Sequence, residues 1–295
     1  MIDFGLALYF TILIFLLVFA IILLTIFKDQ QSKITRRFLI ILAFINFALH
    51  FLKILLPPYS DVFALGVSNN FPYSLYNLSF DNICSVNTIL LPFALLSKKQ
   101  GFKDSVLALS FVGGLLAILY PYDFLYQNVF VVDAIRYYIC HFILLIVPLF
   151  AIILKVHKVS YKSFYKIPLF LIFEMAIILF NNSFLSEIGL LNMRSDIAAK
   201  DYFNTAFVYG PYFGKEDTIL KFLDIFVPKF LKTVPQGFTY FDTLRGFYDN
   251  GGVIKYWPIL WAIGPIIIYV LPLSFIILGS LDFKNVKNDL KKTKS

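Results

Sequence analysis

Residues 4–27 read FGLALYFTILIFLLVFAIILLTIF, an apolar run relieved only by Tyr9, Thr11 and Thr25. A helix advancing about 1.5 Å per residue needs about 20 apolar residues to cross the hydrocarbon core of a bilayer. This stretch is long enough, and it sets the class of everything that follows. It is expected to be retained as a span: no basic n-region precedes it, as a cleaved signal peptide requires, and its positive charges come after it.

The same test applied outward gives seven expected spans: Phe4–Phe27, Phe38–Leu56, Pro72–Leu96, Ser105–Tyr120, Val129–Leu154, Ile167–Ser183 and Pro258–Ser280. With 59% hydrophobic residues and a mean hydropathy of +0.79, the chain holds more apolar surface than a soluble domain covers. The expected fold is all-α, a polytopic membrane helix bundle forming one transmembrane domain over residues 1–295. The expected location is the cell membrane, as a multi-pass protein.

Charge sets the expected orientation. Lys28, Lys33, Arg36 and Arg37 follow the first span, Lys98, Lys99 and Lys103 the third, and Lys155, Lys158, Lys162 and Lys166 the fifth. Lys284, Lys287, Lys291, Lys292 and Lys294 follow the last, whereas 57–71 and 121–128 hold no Lys or Arg. The positive-inside rule then places the N-terminus outside and the C-terminus in the cytoplasm. The net charge of +8 is therefore read as a topology signal. Membrane lipids are the expected partners and nucleic acid is not.

Between the sixth and seventh spans lies an expected extracytoplasmic insert, 184–257, with eight basic and eight acidic residues. Within it, Thr218–Val234 has apolar residues at 219, 222, 223, 226, 227 and 230, which predicts an interfacial amphipathic helix kinked at Pro228. It reads either as a lid over the bundle or as a stabilising cap.

The third expected span, PYSLYNLSFDNICSVNTILLPFALL at 72–96, differs in kind from the first. It carries Asp81, Asn82, Cys84, Ser85, Asn87 and Thr88 in its middle, and polar groups at that depth are costly. Cys84 precedes Lys98 by 14 residues and His141 precedes Lys155 by the same 14, which sets both about 21 Å above the basic boundary. A thiol needs a base to become a strong nucleophile, and imidazole is the usual one. Cys84 and His141 are thus the candidate catalytic pair. The competing reading is that Cys84 packs as a small apolar residue and His141 only bonds a neighbouring helix.

The other intramembrane ionisable groups are Lys53, Asp133, Arg136 and Glu174. Asp133 and Arg136, three residues apart, read as a phosphate-binding site or as a neutralised structural pair. Glu174 is placed to orient the imidazole or to face a solvated cavity. Lys53 is expected to snorkel, His50 to pack, and His157 to lie on the surface of a basic loop. Gly113–Gly114 predicts close helix packing. Two cysteines and three histidines without ligand spacing predict neither a disulfide framework nor a metal site, and no cofactor motif occurs.

The run from Cys84 to Pro92 and the run RYYICHFILLIVPL from Arg136 to Leu149 resemble the two signature helices of the YwaF-type bacterial integral membrane proteins. Tyr256-Trp257-Pro258 is similar to that family's Trp-Pro motif before the last span. An animal relative of the family is a cysteine-dependent phospholipid acyltransferase. The resemblance implies that Cys84 accepts an acyl group as a thioester and that His141 activates it. The family usually has His two residues before the Cys, where this chain has Asn82.

Residues and resemblance together lead to an expected lipid acyltransferase or thioesterase, with Asn82, Ser85 or Asn87 donating to the oxyanion. The alternative is a non-catalytic solute-binding or transport subunit that uses Asp81, Asp133, Arg136 and Glu174 as ligands.

Overall fold

The computed structural model describes residues 4–30, 32–56, 78–120, 132–187, 207–208, 210, 221–231 and 256–292. The fold is an all-α polytopic helix bundle, with no strand among the described residues. Contacts divide the chain into two compact units, Met1–Ser74 with Cys84–Ser163 and Leu75–Ile83 with Phe164–Ser295.

The first unit holds α1 (Phe4–Phe27), α2 (Ser32–Leu52, prolonged by a 3-10 turn at Lys53–Leu55), α3 (Ile83–Leu96), α4 (Gln100–Leu119) and α5 (Val132–Ile153). Its post is α5, more than half of whose span is buried. Helix α4 lies directly along it. A Cβ built on Gly114 would meet the His141 carbonyl oxygen and the Leu145 nitrogen, each at 2.7 Å, so only glycine lets the two backbones approach this closely. This is the close packing expected of the glycine pair. Helix α2 also packs against α5, and buries one stripe: Thr35, Leu39, Ala43, Asn46, His50 and Lys53. Helix α1 seats Leu16 against Ile118, Phe142 and Ile146 and turns Phe15 and Leu17 outward, as suits a helix at the lipid boundary.

Hydrogen bonds show which ends of these helices meet. The Tyr9 hydroxyl lies 3.0 and 2.9 Å from the carbonyls of Ile118 and Leu119, and the Tyr137 hydroxyl donates to Ala117 O at 3.0 Å. The last carbonyls of a helix lack intrahelical partners, so tyrosines of α1 and α5 close the end of α4. At the opposite end Arg36 Nη2 donates to Leu95 O (3.2 Å), and Gln100 Nε2 donates to Lys158 O (2.8 Å) and to both Asp104 carboxylate oxygens (3.0 and 3.1 Å). The basic segments after α1, α3 and α5 therefore gather at one end of this unit.

His157 belongs to that end. It was expected on the surface but is buried, its Nε2 donating to Asp104 Oδ1 at 2.7 Å. Lys155 ends α5 in a left-handed conformation (φ 57°), and the His157 N–H then bonds back to Ala151 O at 2.8 Å. With the Ser160 N–H at 3.4 Å, Asp104 holds the whole turn against the start of α4.

In the second unit α6 (Lys166–Glu187) and α7 (Leu260–Leu281) are the long helices, joined side by side by the Phe164 and Phe275 rings at 5.2 Å. Helix α7 widens into a π turn at Ile266–Val270, just ahead of Pro272, which has no N–H to return to residue 268. After α7 comes α8 (Phe283–Lys292).

Six helices are long and apolar enough to cross a membrane among the described residues. The third expected span is the exception. Its described part is α3, a 14-residue helix starting only at Ile83. At about 1.5 Å per residue it falls short of a core about 30 Å thick. Residues 79–82, Ser-Phe-Asp-Asn, are not helical, consistent with short polar side chains that compete for backbone hydrogen bonds. Residues 72–77, including Asn77, lie outside the described residues.

The predicted helix over Thr218–Val234 is also corrected: residues 221–231 form one turn at Lys221–Asp224 and a separate 3-10 turn at Lys229–Leu231, interrupted before Pro228. Tertiary contacts replace the helix. The Tyr256 hydroxyl donates to Asp224 Oδ1 (2.5 Å), Trp257 N–H donates to Leu231 O (3.0 Å), and Phe226 O presses on the space a Gly264 side chain would take. Residues 218–220 and 232–234 lie outside the described residues.

Two outcomes test this packing. Gly114→Ala is expected to destabilise the protein by about 1–3 kcal/mol in detergent unfolding, because backbone cannot yield to the new methyl. The control Gly279→Ala, whose Cβ meets nothing nearer than Val286 Cγ2 at 4.0 Å, is expected to be neutral or slightly stabilising. Asp104→Ala is expected to cost about 3–5 kcal/mol by stranding its buried donors. It should also open the Lys155–Ser160 turn to protease in native conditions.

Candidate functional site

The late start of α3 changes where Cys84 sits. The sequence placed it in the middle of a spanning helix, with Asp81 one turn away on the same face. It stands instead in the first turn of α3, half-buried, and Asp81 lies in the non-helical chain before it. The N-terminus of a helix carries the positive end of its dipole, so charge that develops at Cys84 lies at the favourable end of α3. The Sγ atom packs 3.2 Å from the position of a Gly113 Cβ. Adjacent Gly114 faces the backbone of α5 at His141, as described above. Consecutive residues of α4 thus meet the first turn of α3 and the middle of α5, which bounds the distance from Cys84 Sγ to the His141 backbone to roughly 13 Å.

The His141 ring is held from its own helix. Its Nδ1 lies 2.8 Å from Tyr137 O, and a carbonyl can only accept, so Nδ1 carries the hydrogen and the neutral ring keeps its lone pair on Nε2. Among the described residues Nε2 makes no hydrogen bond. The Tyr137 ring backs the imidazole at 4.1 Å between centroids while its hydroxyl ties to α4. No separate role was expected of Tyr137, although its place four residues before His141 is the spacing that brings two helical side chains together.

Asp133 and Arg136 form a buried ion pair at 2.6 Å, and Arg136 Nε also donates to Asp133 Oδ1 at 2.7 Å. Their spacing does bring the two charges together. Lys53 was expected to snorkel but is only 6% exposed. The two cysteines form no disulfide, and Cys140 is buried on α5.

A polar seam crosses the first unit beside Cys84. Asn46 Nδ2 donates to Thr88 Oγ1 and Ser110 Oγ donates to Asn87 Oδ1, both at 3.4 Å, linking α2, α3 and α4. Ser85, Asn87 and Thr88 are all buried. Asn87 is thus already engaged with Ser110, and Ser85 is its buried neighbour on α3.

Asp81, Asn82 and Glu174 belong to the second unit, and Cys84, Asn87, Arg136 and His141 to the first. In the second unit Glu174 and Asn182 are fully buried along α6, Asp81 is buried and Asn82 half-buried. Asn181 Nδ2 donates to Ser79 Oγ at 2.9 Å and fastens the chain before α3 to α6.

No curated protein matches this sequence, and no solved structure matches it. One family profile does, over residues 4–219, a stretch that begins with α1, contains α2 to α6 and takes in both Cys84 and His141. A match over that share of the chain, on helices that build a multi-pass membrane protein, shows that the chain belongs to the TMEM164 family.

Proposed function

We propose that this protein is a membrane lipid acyltransferase, or a thioesterase, that works on glycerophospholipid acyl chains through Cys84 and His141. The observation that carries the reading is the arrangement on α4: Gly113 faces the thiol of α3, and adjacent Gly114 faces the His141 backbone carbonyl on α5. The resemblance of the Cys84 and Arg136–Leu149 runs to the YwaF-type proteins, an animal relative of which is a cysteine-dependent phospholipid acyltransferase, supports the reaction class.

His141 Nε2, left basic by the bond from Nδ1 to Tyr137 O, takes the Cys84 proton. The thiolate attacks the ester carbonyl of a phospholipid. The tetrahedral oxyanion collapses, the acyl–oxygen bond breaks, and the lysolipid alkoxide takes the proton back from His141. The acyl group remains on sulfur as a thioester. A second lysolipid hydroxyl, or water, then gives its proton to His141 and attacks, releasing the acylated product and the thiol. The dipole of α3 and its polar residues supply the favourable field for the oxyanion. A purely solute-binding role for Asp133 and Arg136 is weaker, because each already satisfies the other.

The test incubates purified protein with phospholipid bearing a labelled acyl chain and measures hydroxylamine-sensitive label. Wild type and Cys140→Ala should be labelled, Cys84→Ala not at all, and His141→Ala should label at least about 100-fold more slowly. Label that survives in Cys84→Ala, or folded wild type that takes none from any lipid class, would rule the reading out.

A further inference from the structure

We propose that α8 is an in-plane anchor that docks on an anionic membrane surface at the exit of α7. The backbone leaves helical geometry at Asp282 (φ −117°, ψ 30°), and a new helix starts at Phe283. Asp282 stands at its start, its carboxylate accepting from Asn285 Nδ2 at 2.7 Å and its carbonyl from the Asn285 N–H at 3.0 Å.

The geometry shows that α8 does not simply prolong α7. In a continuous helix residues seven apart are separated by roughly 10 Å along the axis. Here Val286 Cγ2 comes within 4.0 Å of a Cβ placed on Gly279. The chain therefore bends sharply at Asp282, and α8 folds back across the end of the span.

That contact also fixes which side of α8 faces the bilayer. Phe283, Val286 and Leu290 follow one another at spacings of three and four and share a face. Val286 on that face touches the end of α7, so the same face is turned to the lipid. Phe283 and Leu290, 65% and 60% exposed within the protein, are left for hydrocarbon. Lys284, Lys287 and Lys291 lie along the adjoining flank, and Lys292 stands at the end, with Asp289 the one acidic residue of the helix. An apolar edge bordered by lysines is the pattern that inserts at the headgroup boundary and draws anionic lipid. The occupant is thus a bilayer surface bearing phosphate or carboxylate charge, and the helix is already tethered within its reach.

The test follows amide hydrogen exchange of 283–292 in the full chain, held in nanodiscs of phosphatidylcholine alone or with about 30% phosphatidylglycerol. Exchange should slow at least about tenfold with the anionic lipid, since each lysine near such a surface contributes about fivefold, and about 0.5 M salt should largely reverse the gain. Lys284→Gln, Lys287→Gln, Lys291→Gln and Lys292→Gln combined should abolish the lipid dependence without changing exchange in α7. Phe283→Ala with Leu290→Ala should speed exchange in both lipids. Exchange indifferent to the anionic lipid in wild type would overturn the proposal. So would protection that tracks protein concentration instead, the mark of a second copy covering the same face.

Discussion

The absence of a side chain at Gly114 is what the first unit depends on. Inside a bilayer there is little hydrophobic gain in bringing helices together, since lipid is as apolar as leucine, and association rests on close packing and hydrogen bonds. At Gly114 the backbones of α4 and α5 approach until a methyl group would overlap His141 O and Leu145 N. That contact makes α5 a buried post, and the neighbouring Gly113 leaves just enough room for the Cys84 sulfur. Tyr9 and Tyr137 secure one end of α4, and Asp104 with Gln100 and His157 secures the other. The helix that carries the glycines is therefore clamped at both ends and cannot easily slide.

How much of this was legible in the sequence depends on the kind of interaction. Helix α1 was plain, because a long apolar run is a one-dimensional property and needs no partner. So was the class of the fold. The glycine pair announced close packing but not with what. The third span misled, because hydropathy averaged over 72–96 hides a run of Ser, Asp and Asn that the backbone does not continue through as a helix. Helix α3 accordingly begins at Ile83, and Cys84 moves from the middle of a helix to its first turn. His157 misled for the complementary reason. A lysine-rich loop reads as solvated, and its partner Asp104 lies 53 residues earlier, where no local pattern points to it.

The candidate site divides along the same line. The equal spacing of Cys84 and His141 from their following lysines is a local count, and it picked out two helices that the structure brings to neighbouring residues of α4. The tautomer of His141 was not legible, since it follows from a bond to Tyr137 O that the sequence shows only as an i, i+4 pair. Asp133 and Arg136 were paired by spacing alone, and their 2.6 Å separation shows the pair formed. Glu174, expected to orient the imidazole or to face a solvated cavity, is fully buried on α6.

The polar residues before and within α3 serve more than one end. Transferring them into hydrocarbon is costly, so a span that was only an anchor would carry few of them. Their retention is explained when the same residues end one stretch of chain, start a helix at a chosen depth, and bind it to its neighbours. Ser79 holds the preceding chain to α6 through Asn181, while Asn87 and Thr88 join α3 to α4 and α2. A half-length helix fixed in this way presents its N-terminal dipole and its first-turn thiol together, where a full-length helix would present only a side. The break before α3 thus sets Cys84 in the first turn of a short helix, where an unbroken span would have held it mid-length.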